Sequence, residues 1–370
     1  MSSSFYRYCA MIMASLTVIV VYLQMTPSRR WRPLPRASDT DSDIIMEHKN
    51  AKCCDAISDA ILEQICTSSF TSSESNYGPP ECNCVDYFYC KLVVVSSVSN
   101  NHFEEAKDMI ASVQTHMPNT TLIVYSLGLK DSQVQVLRSY CNLEVRIFDF
   151  DKYPTLKYSR QNLQKYGWKP LVVQEVSDEF EVILYFDASI RLMSPINGTL
   201  LRYLSLSRPA FLVGSLFGNK CVRSNYPIVS FTHDRMLKYL FPNNSQDLPA
   251  LRQELAVWGH IQSGCWLMWF TSEVRRKILN NWVDCALHEE CMAPKDTSIW
   301  GCRYNSASEY GPKGKFIGCH RYDQSSLNLI LYREFGLSSM DYICHSFVFK
   351  FFLVRRKQTH LYEEICIKNN

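Results

Sequence analysis

The sequence predicts an α/β domain over residues 91–370, a mostly parallel central sheet flanked by helices. Three observations predict it. Continuous apolar runs of strand length alternate with segments of helical period, the pattern of a parallel sheet covered on both faces. Small polar or acidic residues close several of those runs, where open α/β sheets bind ligands. Hydrophobic residues make up 46% and charged residues 20%, enough for a sizeable core.

The elements follow in order. "KLVVVSSVS" (91–99) is a buried strand ending in Ser96, Ser97 and Ser99. "NHFEEAKDMIASVQTHMP" places Phe103, Ala106, Ile110, Val113 and Met117 on one helical face, with Asn101 and Glu104 spaced as a capping box. "TLIVYSLGL" is a second strand, "DSQVQVLRSY" a short helix and "LEVRIFDF" a third strand. "KPLVVQEVSDEF" is a helix with Pro170 in its first turn. "EVILYFDASIRL" (181–192) is a fourth strand, ending on Asp187. Further on, "QSGCWLMWF" (262–270) is a strand and "TSEVRRKILNNWVDCALHEECM" one long helix. "DQSSLNLILYREFG" is a helix with Asp323 as N-cap and Gly336 as its stop, and "SFVFKFFLV" is a late strand.

Before residue 91 the pattern differs. Residues 1–7 read as a cytosolic tail. Residues 8–25 carry no charge and reach the lower limit for a spanning helix, so they read as a signal anchor. Residues 26–90 read as a Ser-, Pro- and Cys-bearing stem. Arg29, Arg30, Arg32 and Arg36 follow the anchor, which by the positive-inside rule would leave the body in the cytosol. Sixteen cysteines and sequons at Asn119, Asn197 and Asn243 argue instead for a luminal, glycosylated and disulfide-bonded body. That combination describes a type II membrane protein of the secretory pathway, in the Golgi, with a secreted or cell-surface form as the alternative. "CNCVDYFYC" lacks a second half at zinc-finger spacing and reads as disulfide-forming. Cys285, Cys291, Cys302 and Cys319 are expected to form two disulfides. A net charge of +3 gives no footing for nucleic-acid binding.

Asp187 is the first candidate for chemistry, as a metal- or phosphate-site carboxylate or as a turn residue. "FDFD" puts Asp149 and Asp151 on one face of a strand end, which suits metal binding or plain solvation, and reads as an exit loop. Lys169 could offset diphosphate charge near a helix N-terminus.

The succession of strand units leading to "LYFDAS" resembles the type-A fold of nucleotide-sugar glycosyltransferases, and the retaining family-eight enzymes in particular. "HRYDQSSLN" (Asp323, Gln324, Asn328), "QSGCW" (Gln262, Ser263, Gly264) and Lys169 carry that likeness. With "YGWKP", "FDAS" and "CHRYDQS" the chain also looks like an uncharacterised invertebrate family of single-span luminal proteins. The resemblance covers about residues 90–345. It implies transfer of a sugar from a nucleotide-diphosphate donor to a glycan, protein or lipid acceptor. It implies catalytic roles for Gln324 and Asp323, and donor binding by Ser96, Ser97, Ser99, Lys169, Asp187, Ser189 and Gln262. It further implies a Mn2+ or Mg2+ ion on Asp187, with His345, or else His320, as a late ligand. The chain departs from the pattern at Ser189, where the second aspartate of Asp-x-Asp would stand. A hydroxyl is the weaker ligand, so a transferase fold without catalysis, serving in carbohydrate binding, as a chaperone or in adhesion, is the alternative.

Overall fold

The computed structural model describes residues 88, 91–196, 211–213, 227–244, 246–259, 261–300, 316, 318–336, 352–354 and 365–368. All belong to the compact unit Lys49–Asn370. The proposed anchor, almost all of the stem, Asn197 and His345 lie outside them. Among the described residues no helix is long and apolar enough to cross a membrane.

The strands are β1 (Leu92–Val98), β2 (Leu122–Ser126), β3 (Leu143–Ile147), β4 (Val182–Phe186), β5 (Ile190–Leu192), β6 (Phe211–Val213), β7 (Cys265–Trp269) and β8 (Phe352–Val354). The helices that matter here are α1 (Phe103–His116), α2 (Asp131–Arg138), α3 (Trp168–Ser177), α4 (Asn280–Leu287) and α5 (Tyr322–Phe335). Six strands form one sheet in the order β3-β2-β1-β4-β7-β6, while β5 pairs with β8 in a separate ribbon.

β1 pairs in parallel with β2 and β4, and β2 with β3. Every residue of β1, β2 and β4 is buried, as their unbroken apolar runs require of strands covered on both faces. β3, at the sheet edge, is fully buried only at Leu143 and leaves Ile147 exposed. The β1–α1–β2 and β2–α2–β3 units step one way along the sheet, and the α3 crossover into β4 steps the other. Right-handed crossovers therefore place α3 on the opposite face from α1 and α2. The stepping direction reverses between β1 and β4, and their carboxyl ends flank the crevice where such sheets bind ligands.

β7 runs antiparallel to both β4 and β6, so it enters the sheet at that same rim. The segment before it, 261–264, lies beside the end of β4, and the Asp187 amide donates to the Gly264 carbonyl at 2.7 Å.

Several local expectations are revised. The long helix expected over 271–292 is broken: Ser272–Val274 is α-helical, Arg275–Leu279 is a π-turn, and α4 ends before His288. The His288 backbone is extended, and Glu289–Met292 is a separate turn. The Cys285–Cys291 disulfide ties the two pieces across that break. Cys319 is also disulfide-bonded, Cys302 is outside the described residues, and Cys141 pairs with Cys366. At α1 the cap is His102, with no side-chain bond, instead of an Asn101–Glu104 box; a 3-10 turn, Asn100–His102, intervenes. "FDFD" forms a 3-10 turn: Asp149 accepts from the Asp151 amide, and Asp151 pairs with Arg160.

Candidate functional site

Three segments distant in sequence meet at the carboxyl rim. α3 brings Lys169, the end of β4 brings Asp187, and the start of α5 brings Asp323. The Lys169 ammonium lies 2.7 Å from Asp323 Oδ2 and 3.1 Å from Asp187 Oδ1. Lys169 and Asp323 are buried, whereas the Asp187 side chain is 36% exposed.

Local sequence explains how Lys169 arrives there. Tyr166 takes a left-handed conformation, φ 53°, and its carbonyl accepts from the Lys169 amide. Gly167 passes under the Tyr158 ring, where an added Cβ would stand 2.2 Å from the Tyr158 hydroxyl. The Trp168 indole donates to the Leu163 carbonyl at 3.0 Å. The "YGWKP" block is thus a turn that aims one lysine inward, and Tyr166, Trp168 and Tyr185 surround its ammonium at 5.1–5.9 Å. Burial alone would lower the Lys169 pKa. The carboxylates of Asp187 and Asp323 outweigh it and hold the ammonium well above the usual lysine range.

Asp323 is the second residue of α5, whose cap is Arg321 with no side-chain bond, so the expected N-cap role is replaced. Its Oδ2 also accepts from the Ser263 hydroxyl at 2.8 Å. Burial pushes this carboxyl up, while Lys169 and the Ser263 hydroxyl oppose that shift. Gln324 is buried, and its amide donates to the Ile261 carbonyl at 2.8 Å. Asn328 grips the same residue twice: Oδ1 accepts from the Ile261 amide at 2.6 Å, and Nδ2 donates to the Ile261 carbonyl at 2.9 Å. The 261–264 segment is therefore fastened to α5 on one side and to Asp187 on the other.

The remaining candidates divide. Ser96 and Ser97 are buried and, among the described residues, their hydroxyls have no hydrogen-bond partner. The Tyr185 phenol lies close to Ser97 without reaching hydrogen-bond geometry. Ser99 donates to Asn101 Oδ1 at 2.7 Å. Ser189 and Gln262 are half-buried near the rim. Asn119 and Asn243 are exposed. His320 is fully buried, and its Nδ1 accepts from the His233 amide, which leaves Nε2 to donate to the Met292 carbonyl. Burial pushes its pKa down to about 3, and both nitrogens are spent on structure.

Among the described residues no group of three His, Cys, Asp or Glu is arranged to hold a metal. The donors at the rim fit a divalent cation in a narrower way. Asp187 gives Lys169 one oxygen and keeps its half-exposed rim position, and two carboxylates against one ammonium leave one negative charge over. Magnesium or manganese held by one carboxylate, with water and phosphate as its other ligands, is compatible with that donor set.

Two polar elements of this region are not evident from motif reading. His102, in the turn after β1, bonds Glu105, and its ionisation responds to the charge of Asp187. Arg191 is wholly buried behind the Asp187 turn. The run "SSVSNNH" at a strand end was the available signal for the first, and spacing gives none for the second.

A family model described as "Protein of unknown function (DUF1647)" matches residues 86–174, which include Lys169 and stop short of Asp187. No curated protein matches the sequence. Among solved structures, the chain is similar to mouse xyloside xylosyltransferase 1, apo form, with 13% identity, TM-score 0.38, and coverage of 66% of this chain and 83% of that one. It is also similar to core-mannan synthase A from Aspergillus fumigatus in a Mn/GDP form, with 8% identity, TM-score 0.35, and coverage of 65% and 69%. A third likeness is to the galactosyltransferase LgtC with donor and acceptor sugar analogs, with 14% identity, TM-score 0.32, and coverage of 64% and 69%.

Proposed function

We propose that the protein is a nucleotide-sugar glycosyltransferase whose donor diphosphate binds over the carboxyl ends of β1 and β4. One observation carries the reading: Lys169, Asp187 and Asp323 converge at 2.7–3.1 Å on the ligand-binding rim of the sheet. The motif resemblance at "LYFDAS" and "HRYDQSSLN" supplies the class of substrate.

In this reading Asp187, with Ser189 beside it, would hold a divalent cation, which would supply charge compensation for the departing diphosphate. Lys169 does not touch the donor, because its ammonium is buried beneath the two carboxylates. It fixes the orientation of Asp187 and halves the negative charge of the pair. Asp323 anchors Lys169 and Ser263, and so sets the position of the segment that Gln324 and Asn328 hold. Rate enhancement in such a site comes from positioning and from electrostatic stabilisation of the leaving diphosphate. The body is placed in the lumen of the secretory pathway, anchored by residues 8–25, on the strength of its sequons and cysteines.

A second reading, a nucleotide-binding protein of this fold without turnover, has one observation in its favour. Gln324 is buried with its amide nitrogen committed to the Ile261 carbonyl, so little of the side chain is open to a sugar. The luminal region, incubated with manganese and a panel of nucleotide sugars, separates the two. Release of nucleotide diphosphate that Asp187→Asn abolishes supports the enzyme. Metal-dependent binding without release supports the second reading, and release untouched by Asp187→Asn removes Asp187 from the site.

A further inference from the structure

We propose that His102 is a phosphate-binding residue of this site, its Nε2 hydrogen-bonding the donor diphosphate while Glu105 orients the ring. The inference rests on the nucleotide-sugar reading and adds to it a residue from the opposite wall of the crevice.

Geometry brings His102 to the rim. α1 is docked on the segment that follows Asp187 by two fixed points. Asp108 Oδ2 lies 3.4 Å from Arg191 Nη2, both side chains buried, and the Ser112 hydroxyl accepts from the Leu192 amide at 3.1 Å. Arg191 Nη1 also donates to the Ala188 and Ile190 carbonyls at 2.8 Å each, which clamps the turn that carries Asp187 and Ser189. A buried ion pair of this kind adds little net stability, and geometric specification is one use such pairs serve. The Arg191 guanidinium thus bridges Asp108 and the Ala188 carbonyl, which sets the first half of α1 beside the turn that carries Asp187. His102 precedes Asp108 by six residues, roughly 9 Å along a helix, and Asp187 precedes Arg191 by four. Ser96 pairs with Phe186 in the parallel strands β1 and β4, so the chain leaves both strands at the same rim, toward His102 from one and into the Asp187–Ser189 turn from the other.

The chemistry of the pair suits a phosphate. Nδ1 of His102 stands 3.0 Å from Glu105 Oε2, so the ring is held through one nitrogen. Among the described residues Nε2 has no partner, and the side chain is 53% exposed. The bond to Glu105 raises the imidazole pKa above the usual histidine value against partial desolvation, and the Glu105 and Asp187 charges act in the same direction. An imidazolium oriented by a carboxylate donates a charge-assisted bond from its far nitrogen. The Ser97 hydroxyl, buried near the end of β1 and without a partner among the described residues, is a further donor at the same strand end.

Calorimetric titration with UDP, GDP, ADP and CDP in the presence of Mn2+ tests the inference, with the parent nucleosides as controls. Whichever nucleotide binds the wild type should bind His102→Ala about tenfold more weakly, and His102→Gln should recover part of the loss through its amide. Nucleoside affinity should be equal in wild type and variants. An unchanged dissociation constant in folded His102→Ala overturns the role of His102 and leaves the nucleotide reading standing. No binding of any of the four to the wild type overturns both. Melting curves report folding, which an exposed side chain should not perturb; if His102→Ala does not fold, Glu105→Gln carries the test with an expected loss of about threefold.

Discussion

Asp323 Oδ2 holds the Lys169 ammonium at 2.7 Å with both side chains buried. Buried charges are costly unless paired, so each depends on the other. Lys169→Met would leave Asp323 as an unpaired buried carboxylate and should destabilise the domain by about 3–5 kcal/mol. The double change Lys169→Met with Asp323→Leu should cost less than Lys169→Met alone, because it removes the orphaned charge as well. Urea unfolding of the three variants measures this, and a double variant weaker than the single one would show that the pair is not what the packing depends on.

Gly264 separates the site from the scaffold. An added Cβ there would stand 2.6 Å from Asp187 Oδ2, and that atom is the free end of a half-exposed side chain. Gly264→Ala should therefore turn the carboxylate aside while the backbone stays in place. The expected outcome is a loss of manganese-dependent nucleotide binding of at least tenfold, with unfolding free energy changed by less than about 1 kcal/mol. Equal losses in both would mean that the segment itself has moved.

Much of this arrangement was legible in the sequence because its causes are local. The apolar runs of β1, β2 and β4 are continuous because both faces of those strands are covered, and Lys169, Asp187 and Asp323 stood out as polar residues at element ends. What stayed hidden depends on contacts distant in the chain. The direction of β7 is set by pairing with β4 and β6, not by its own period, and that direction brings Ser263 and Gly264 to Asp187. Asp323 looks like a cap by position, yet its side chain is drawn to a lysine 154 residues earlier in the chain. The break before His288 follows an extended backbone at that residue, which helical spacing in "NNWVDCALHEECM" does not reveal. Glu104 drew attention as a capping residue, while the pair that matters at that turn is His102 and Glu105.

Acid stability should carry the mark of His320. Its folded pKa is pushed down to about 3 by burial, against about 6.5 in an unfolded chain. Between those values the unfolded state binds one proton more than the folded state, so stability rises with pH in that window and is lost as pH falls through it. The contribution is on the order of 4 kcal/mol between pH 7 and pH 3. His320→Gln keeps a donor for the Met292 carbonyl and removes the titration. Its denaturation midpoint should fall less steeply on acidification than that of the wild type, and parallel acid limbs would rule His320 out as the source.

Asn328 offers the sharpest link between packing and site. Three bonds leave its amide: one from the Ile261 amide, one to the Ile261 carbonyl and one to the Gln324 carbonyl at 2.7 Å. Asn328→Asp is nearly isosteric and keeps the acceptor, but it removes the donor to two carbonyls and sets a carboxylate oxygen against them, leaving the Ile261 carbonyl with the Gln324 amide. Each lost buried bond costs about 1 kcal/mol or more, and the facing oxygens add to it, so a loss of about 2–4 kcal/mol is expected. The consequence should not stop at stability. Ile261 is also the acceptor for Gln324, and the segment it begins runs through Ser263 to Gly264, which bonds Asp323 and Asp187 respectively. Loosening Ile261 should therefore weaken nucleotide binding in protein that is still fully folded, under conditions well below the unfolding midpoint. Binding measured at 10 °C, where the folded state predominates, checks this: an affinity equal to wild type would confine Asn328 to the scaffold and detach the 261–264 segment from the site.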